Sequence, residues 1–245
     1  MKPAAVITGA SGGIGQAVAR QFAAAGYQVF CGCNSHLEEA QRLARALCEQ
    51  GAQAQALQAD LSDPKQAAEF AKAVQAQCGA VDVLVNNAGI AQQKLFQDIT
   101  DEDWHRMMGV NLDGVFYLTR ALLPGMIRKK SGRIINISSV WGVCGASCEV
   151  HYSAAKAAVA GMTKALAKEV GPSGITVNCI APGVIRTPML ESFSEEELEQ
   201  LAQQTPMGRL GTGDDIAALA VFLASSQAGF VTGQVICADG GFALS

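Results

Sequence analysis

Short, nearly continuous apolar runs alternate with longer amphipathic stretches along almost the whole chain. The apolar runs AAVITG (4–9), QVFCGC (28–33), AQALQA (54–59), VDVLVNN (81–87), GRIINIS (132–138), GITVNCI (174–180) and GQVICA (233–238) lack two-residue alternation. That pattern predicts strands covered on both faces. Between them, helical periodicity predicts helices over 13–25, 36–50, 64–78, 102–130, 152–170 and 213–225. Gly26, Gly51, Gly79 and Gly171 stand where helix C-caps belong. Strand–helix alternation of this kind predicts an α/β fold: a doubly wound, seven-stranded parallel sheet with helices on both faces.

No linker, repeat or charge run divides the 245 residues, so one domain over 1–245 is expected. One irregular region interrupts the alternation. Residues 184–212 carry an acidic, helix-like insert bounded by Pro and Gly, expected to form a small lid over a site. Composition is that of an ordinary globular protein, 49% hydrophobic and 16% charged, with a net charge of −4 that gives no reason to expect a nucleic-acid partner. The opening MKPAAVITGA has no signal-peptide pattern and no run is long enough to span a membrane, so cytoplasmic residence is expected. Eight cysteines without a CxxC are then expected to be free thiols, mostly buried in the core.

The first strand runs into TGASGGIG (8–15), directly before a helix. Glycines at 9, 13 and 15 permit a tight turn and close approach of backbone to a phosphate, and the helix N-terminus adds free N–H groups and a positive dipole end. The alternative is a turn merely punctuated by glycine. A dinucleotide site also needs a ribose reader after the second strand, and residues 23–37 contain neither Asp nor Glu. A carboxylate there would repel a 2′-phosphate, so its absence favours NADP(H) over NAD(H). No Lys or Arg lies between 21 and 41, which leaves neutral hydrogen bonds from Asn34, Ser35 and Ser11.

The segment SSVWGVCGASCEVHYSAAKAA (138–158) offers competing chemistries. Tyr152 and Lys156 are spaced i, i+4 on one helix face. A nearby ammonium lowers a phenol's pKa, so the pair suits a general acid for a carbonyl oxygen, although the spacing also arises by chance. Cys144, Cys148 and His151 lack the paired spacing of a structural zinc site, and no metal is expected. His105 reads as a surface or packing residue, and Arg209 as an anchor for the lid.

These motifs resemble, in order and over essentially the whole chain, the short-chain dehydrogenase/reductase family: TGASGGIG (8–15), Asp60, NNAG (86–89), Asn111, Ser139, Tyr152-Ser-Ala-Ala-Lys156 and Pro182-Gly183. The resemblance implies hydride transfer between a nicotinamide and a carbonyl or alcohol. It implies Tyr152 as proton donor and Ser139 as the group orienting the carbonyl. Lys156 would lower the tyrosine pKa and hold the nicotinamide ribose, with Asn111 supporting a proton relay to it. It further implies a cofactor bed of Gly9, Ser11, Gly13, Ile14, Gly15, Asn34, Ser35, Asp60, Leu61, Asn87, Ala88, Gly89, Tyr152, Lys156, Pro182, Gly183, Ile185 and Thr187, and a homotetramer. Gly12 stands where the family often has a basic residue, a departure that weakens the grip on a 2′-phosphate. A dinucleotide-binding regulator without catalysis is the alternative from another class.

Within the family the general pattern is similar to 3-oxoacyl-acyl-carrier-protein reductases. LLPGMIRKKSG (122–132) and the 138–153 run, above all Trp141 and GASCEV, resemble the elongation factor P 5-aminopentanone reductases. The expected partner is therefore a ketone carried on elongation factor P or on acyl-carrier protein. Trp141 and Glu149 are the substrate candidates. A carboxylate at 149 suits the ammonium of an aminopentanone, or else caps the helix that follows. Arg128, Lys129 and Lys130 would instead suit a carrier protein, whereas Ser173 stands where a basic residue is often found.

Overall fold

The computed structural model describes residues 2–190 and 193–243. Seven parallel strands, β1 (Ala4–Ile7), β2 (Gln28–Cys33), β3 (Gln53–Gln58), β4 (Val83–Asn86), β5 (Gly132–Ile137), β6 (Ile175–Pro182) and β7 (Val235–Ala238), form one sheet in the order β3-β2-β1-β4-β5-β6-β7. This is the Rossmann-type architecture. The absence of alternation in the strands has a direct cause. In β1, Ala5 and Ile7 enter one core while Ala4 and Val6 enter the other, so every position is apolar.

Helices α1 (Gly13–Ala24), α2 (Leu37–Glu49) and α9 (Gly213–Ala224) cover the first face through residues such as Phe22, Leu43, Leu47, Ile216 and Leu223. Helices α3 (Pro64–Cys78), α5 (Gly114–Lys129) and α7 (Val150–Val170) cover the second through Phe70, Val74, Leu118, Leu122 and Val170. Chain order reverses between β1 and β4, which opens a crevice beyond the carboxyl ends of the central strands.

One predicted helix is three segments. Residues 102–130 fold as α4 (Asp101–Met108), a π-helical turn (Gly109–Asp113) and then α5. The side chain of Asn111 supports the wide turn: its amide donates to the carbonyl of Met107, one turn back, at 3.1 Å. Such turns recur at functional sites. A short helix, α6 (Trp141–Cys144), precedes α7, and α7 begins at Val150, two residues before the predicted start.

Within 184–212, the base is stitched by Arg186 N donating to Gly211 O and Gly211 N to Val184 O, both at 2.9 Å. Helix α8 (Glu195–Gln204) follows, started by a capping box between Ser194 and Glu197. Residues 191 and 192 of this segment lie outside the described residues. Arg209 closes its end on α9, with both terminal nitrogens on the Asp215 carboxylate at 2.8 and 2.9 Å. The cysteines are free, but only Cys31, Cys33 and Cys179 are buried. Cys48, Cys144 and Cys237 are exposed, so the expectation of a mostly buried set is corrected. Among the described residues, no helix is long and apolar enough to cross a membrane.

Candidate active site

A cleft of about 1160 Å³ runs along the carboxyl ends of the strands. The predicted residues lie at or just past the carboxyl ends of β1 to β6. Gly9, Ser11, Gly13, Ile14 and Gly15 follow β1, Asn34 and Ser35 follow β2, and Asp60 and Leu61 follow β3. Asn87, Ala88 and Gly89 follow β4, Ser139 and Trp141 follow β5, and Pro182 and Gly183 with Ile185 and Thr187 close the far wall. Tyr152, Lys156 and Glu149 reach the same cleft from the start of α7. Asn111 alone among the predicted site residues does not line it; it is fully buried behind the wall.

The glycine-rich turn is tightly packed where the dinucleotide phosphate is expected. A Cβ on Gly15 would lie 2.1 Å from the carbonyl oxygen of Gly9, so turn and helix meet at backbone distance. Thr187 folds onto the same turn, its Cγ2 only 2.8 Å from where a Cβ on Gly13 would be. Asn87 spends its side-chain amide on Thr8 O (2.9 Å) and Gly9 O (3.2 Å), locking this turn to β4. Thr8, which the sequence did not single out, accepts from the backbone N–H of both Asn87 and Ala88 at 2.9 Å. The Asp60 carboxylate accepts from Ser62 N (3.0 Å) and Ser62 Oγ (2.6 Å), an Asx-type turn leading into α3.

The candidate proton-transfer residues lie close together. Tyr152 and Ser139 line the cleft together, and the Ser139 hydroxyl accepts from the Trp141 N–H at 3.2 Å. Lys156 Nζ lies 5.7 Å from the tyrosine ring centroid and donates to Ile137 O at 3.1 Å. Burial pushes Tyr152 up to about 12; the Ser139 side chain opposes this and the charge of Glu149 adds to it, so the lowering expected from Lys156 does not appear. Burial draws Lys156 down to about 8, against a small opposing effect of Cys179. Asn111 grips Ile90 from both sides, donating to its carbonyl at 3.0 Å and accepting from its N–H at 3.3 Å. A Cβ on Gly89 would sit 2.6 Å from Asn111 Oδ1 and 3.1 Å from Lys156 Nζ, so both groups converge on this glycine.

The remaining candidates separate. Trp141 is held edge-on by Phe242, ring centroids 5.3 Å apart. Glu149 occupies the N-cap position of α7 but its side chain makes no capping bond; its carboxylate meets the Gln93 amide at 3.5 Å. Cys144, Cys148 and His151 do not gather. Cys144 bonds Val140 O, and His151 is fully buried against Gln92 Oε1 at 2.9 Å.

Sequence reasoning missed this last network. The Gln92 amide donates to Asp103 at 2.9 Å, which fixes its carbonyl toward His151 and makes Nε2 of His151 the donor. Asp103 also receives Lys94 at 2.5 Å, so the loop after Gly89 is pinned between α4 and α7. His36 and His105 line the cleft as well. No local motif marked them, because their positions depend on how α2 and α4 approach the sheet.

A family model described as Enoyl-(Acyl carrier protein) reductase matches residues 9–243. A Bacillus subtilis protein described as an uncharacterized oxidoreductase, YmfI, is 41% identical over 243 residues, 99% of this chain and 99% of its own. The 3-oxoacyl-acyl-carrier-protein reductase FabG of Staphylococcus aureus is 40% identical over 241 residues, 98% of each chain. Nodulation protein G of Rhizobium sp. is 40% identical over 240 residues, 98% of this chain and 96% of its own. The protein is accordingly an oxidoreductase acting on carbonyl or hydroxyl groups with NAD(P)(H), and the regulatory alternative falls away. Because these matches run over nearly its whole length and agree with the strand order, the chain belongs to the short-chain dehydrogenase/reductase family.

Proposed function

We propose that the protein is an NADPH-dependent ketone reductase whose substrate carries an ammonium group, as the 5-aminopentanone on modified elongation factor P does. The observation that carries the substrate reading is Glu149: half-buried, lining the cleft beside Tyr152, and free of the capping role that would otherwise explain it. A second reading, a 3-oxoacyl-acyl-carrier-protein, draws on the likeness to FabG. Against it, Lys129 of the basic 128–130 stretch is engaged by Asp82. A cytoplasmic homotetramer with 184–212 as a lid remains the expected form; Leu190, Phe193 and Leu201 bring apolar surface from that segment to the cleft.

The preference for NADPH rests on the rim after β2. Cys33, Asn34, Ser35 and His36 line it without a carboxylate, and Ser35 Oγ lies 3.0 Å from His36 Nδ1. These groups, with Ser11, would receive a 2′-phosphate that an acidic residue would repel.

When bound, the reduced nicotinamide supplies the hydride to the carbonyl carbon. Ser139 holds the carbonyl oxygen, and Tyr152 gives it a proton as negative charge develops there. Lys156 returns a proton to the tyrosine, with Asn111 as the positioning residue that supports the relay. Ketone, NADPH and one proton become secondary alcohol and NADP⁺.

The pH dependence follows from the two shifts. Tyr152, held near about 12, keeps its proton through the neutral range, as an acid must. Lys156 loses its charge as pH rises through about 8. Oxidation of NADPH by a panel of ketones is expected to exceed that of NADH and to slow as pH rises through about 8. A panel with no active ketone refutes the reductase reading, and a rate that is flat or rising there refutes the role of Lys156.

A further inference from the structure

Tyr152 stands between two groups of opposite charge on the same helix. Lys156 lies one turn after it, buried, and Glu149 three residues before it. A carboxylate at a helix start ordinarily takes the free N–H groups there. Glu149 does not, and among the described residues no ion pair includes it. Its one side-chain partner there is the neutral amide of Gln93, at 3.5 Å. Lys156 and Arg106 line the same cleft but neither pairs with Glu149; a half-buried carboxylate without an ion-pair partner is costly to keep, and it stabilises any cation placed beside it. Burial raises the Glu149 carboxyl above its ordinary range, and its negative charge in turn makes the neighbouring tyrosine a weaker acid.

We propose that Glu149 makes catalysis conditional on a cationic substrate: an ammonium on the ketone pairs with the carboxylate and cancels its charge beside the proton donor. The group that recognises the substrate then also releases the tyrosine proton to it. This role presupposes the ketone reduction proposed above. The Tyr152 O–H bond breaks as an O–H bond forms on the carbonyl oxygen, while the carbonyl carbon gains hydride and the nicotinamide is oxidised. The tyrosinate recovers its proton from water by way of Lys156. Selectivity for the cation consequently enters kcat as well as KM, because a neutral ketone of the same shape leaves the opposing charge in place.

The test compares kcat and KM of the wild type and Glu149→Gln, with NADPH, on two alkyl methyl ketones of equal length. One ends in an ammonium group and the other in a methyl group. In Glu149→Gln, kcat/KM for the ammonium ketone is expected to fall about tenfold, while kcat for the neutral ketone rises about threefold. NADPH affinity, read by nucleotide fluorescence, stays the same, and Glu149→Asp retains the preference for the cation. Equal losses on both ketones, or no rise on the neutral one, overturn the proposal and leave Glu149 as a residue that shapes the pocket. Wild-type inactivity on both ketones overturns the reductase reading and this role with it.

Discussion

Tyr152→Phe is expected to lower turnover by about three orders of magnitude while NADPH binds as before. The substitution removes one oxygen and keeps the ring that packs in the cleft wall. Ser139 would still line the cleft and orient a carbonyl, but the hydroxyl assigned to give the proton is gone. Lys156 does not substitute, because its ammonium sits over the ring, bonded to Ile137 O, rather than at the hydroxyl. Steady-state NADPH oxidation with a binding titration of NADPH checks this. Turnover within tenfold of wild type would remove Tyr152 from the mechanism.

The second large effect is expected from Gly15→Ala. The new methyl would be placed 2.1 Å from the carbonyl oxygen of Gly9 and 2.8 Å from the amide of Asn87. Neither neighbour is a flexible chain end: the first is backbone, and the second is the group that ties the glycine turn to β4. The turn must therefore open, with a loss of about 1–3 kcal/mol of stability. NADPH affinity is expected to weaken by roughly two orders of magnitude, since several backbone donors to one ligand move together. Gly12→Ala serves as the control, because its methyl would meet nothing closer than 3.5 Å. Thermal unfolding and NADPH titration of both variants read the difference. Wild-type affinity in Gly15→Ala would mean that the turn does not cradle the cofactor.

The sheet was legible because burial on both faces leaves a simple mark. Ala4 and Val6 serve one core and Ala5 and Ile7 the other, and the same holds in β5 for Ile134 against Ile135 and Ile137. The cleft residues were legible for a related reason: in a parallel sheet, loops after the strands all arrive at one edge, so motif order alone brings Gly9, Asn87, Ser139 and Pro182 together. What escaped depends on contacts between distant segments. The π-helical turn in 102–130 rests on Asn111 reaching both Met107 and Ile90, 21 residues away, and periodicity within the helix carries no sign of it. The link from His151 through Gln92 to Asp103 joins three separate elements. The cysteines were misjudged because residue type alone predicts burial, whereas Cys237 sits on the edge strand β7 and Cys144 on the exposed α6.

Glu149 changes the meaning of the segment around it. Its carboxylate is off the helix end and lines the cleft; on the proposed function, the loop from Trp141 to Glu149 would select the substrate, while Ser139, Tyr152 and Lys156 would supply a reduction that does not itself choose. The most direct measurement is kcat/KM for NADPH oxidation with aminopentanone-bearing elongation factor P beside that with acetoacetyl-acyl-carrier protein. The modified translation factor is expected to be the better substrate by at least about tenfold. An acyl-carrier substrate that is equal or better would contradict the account.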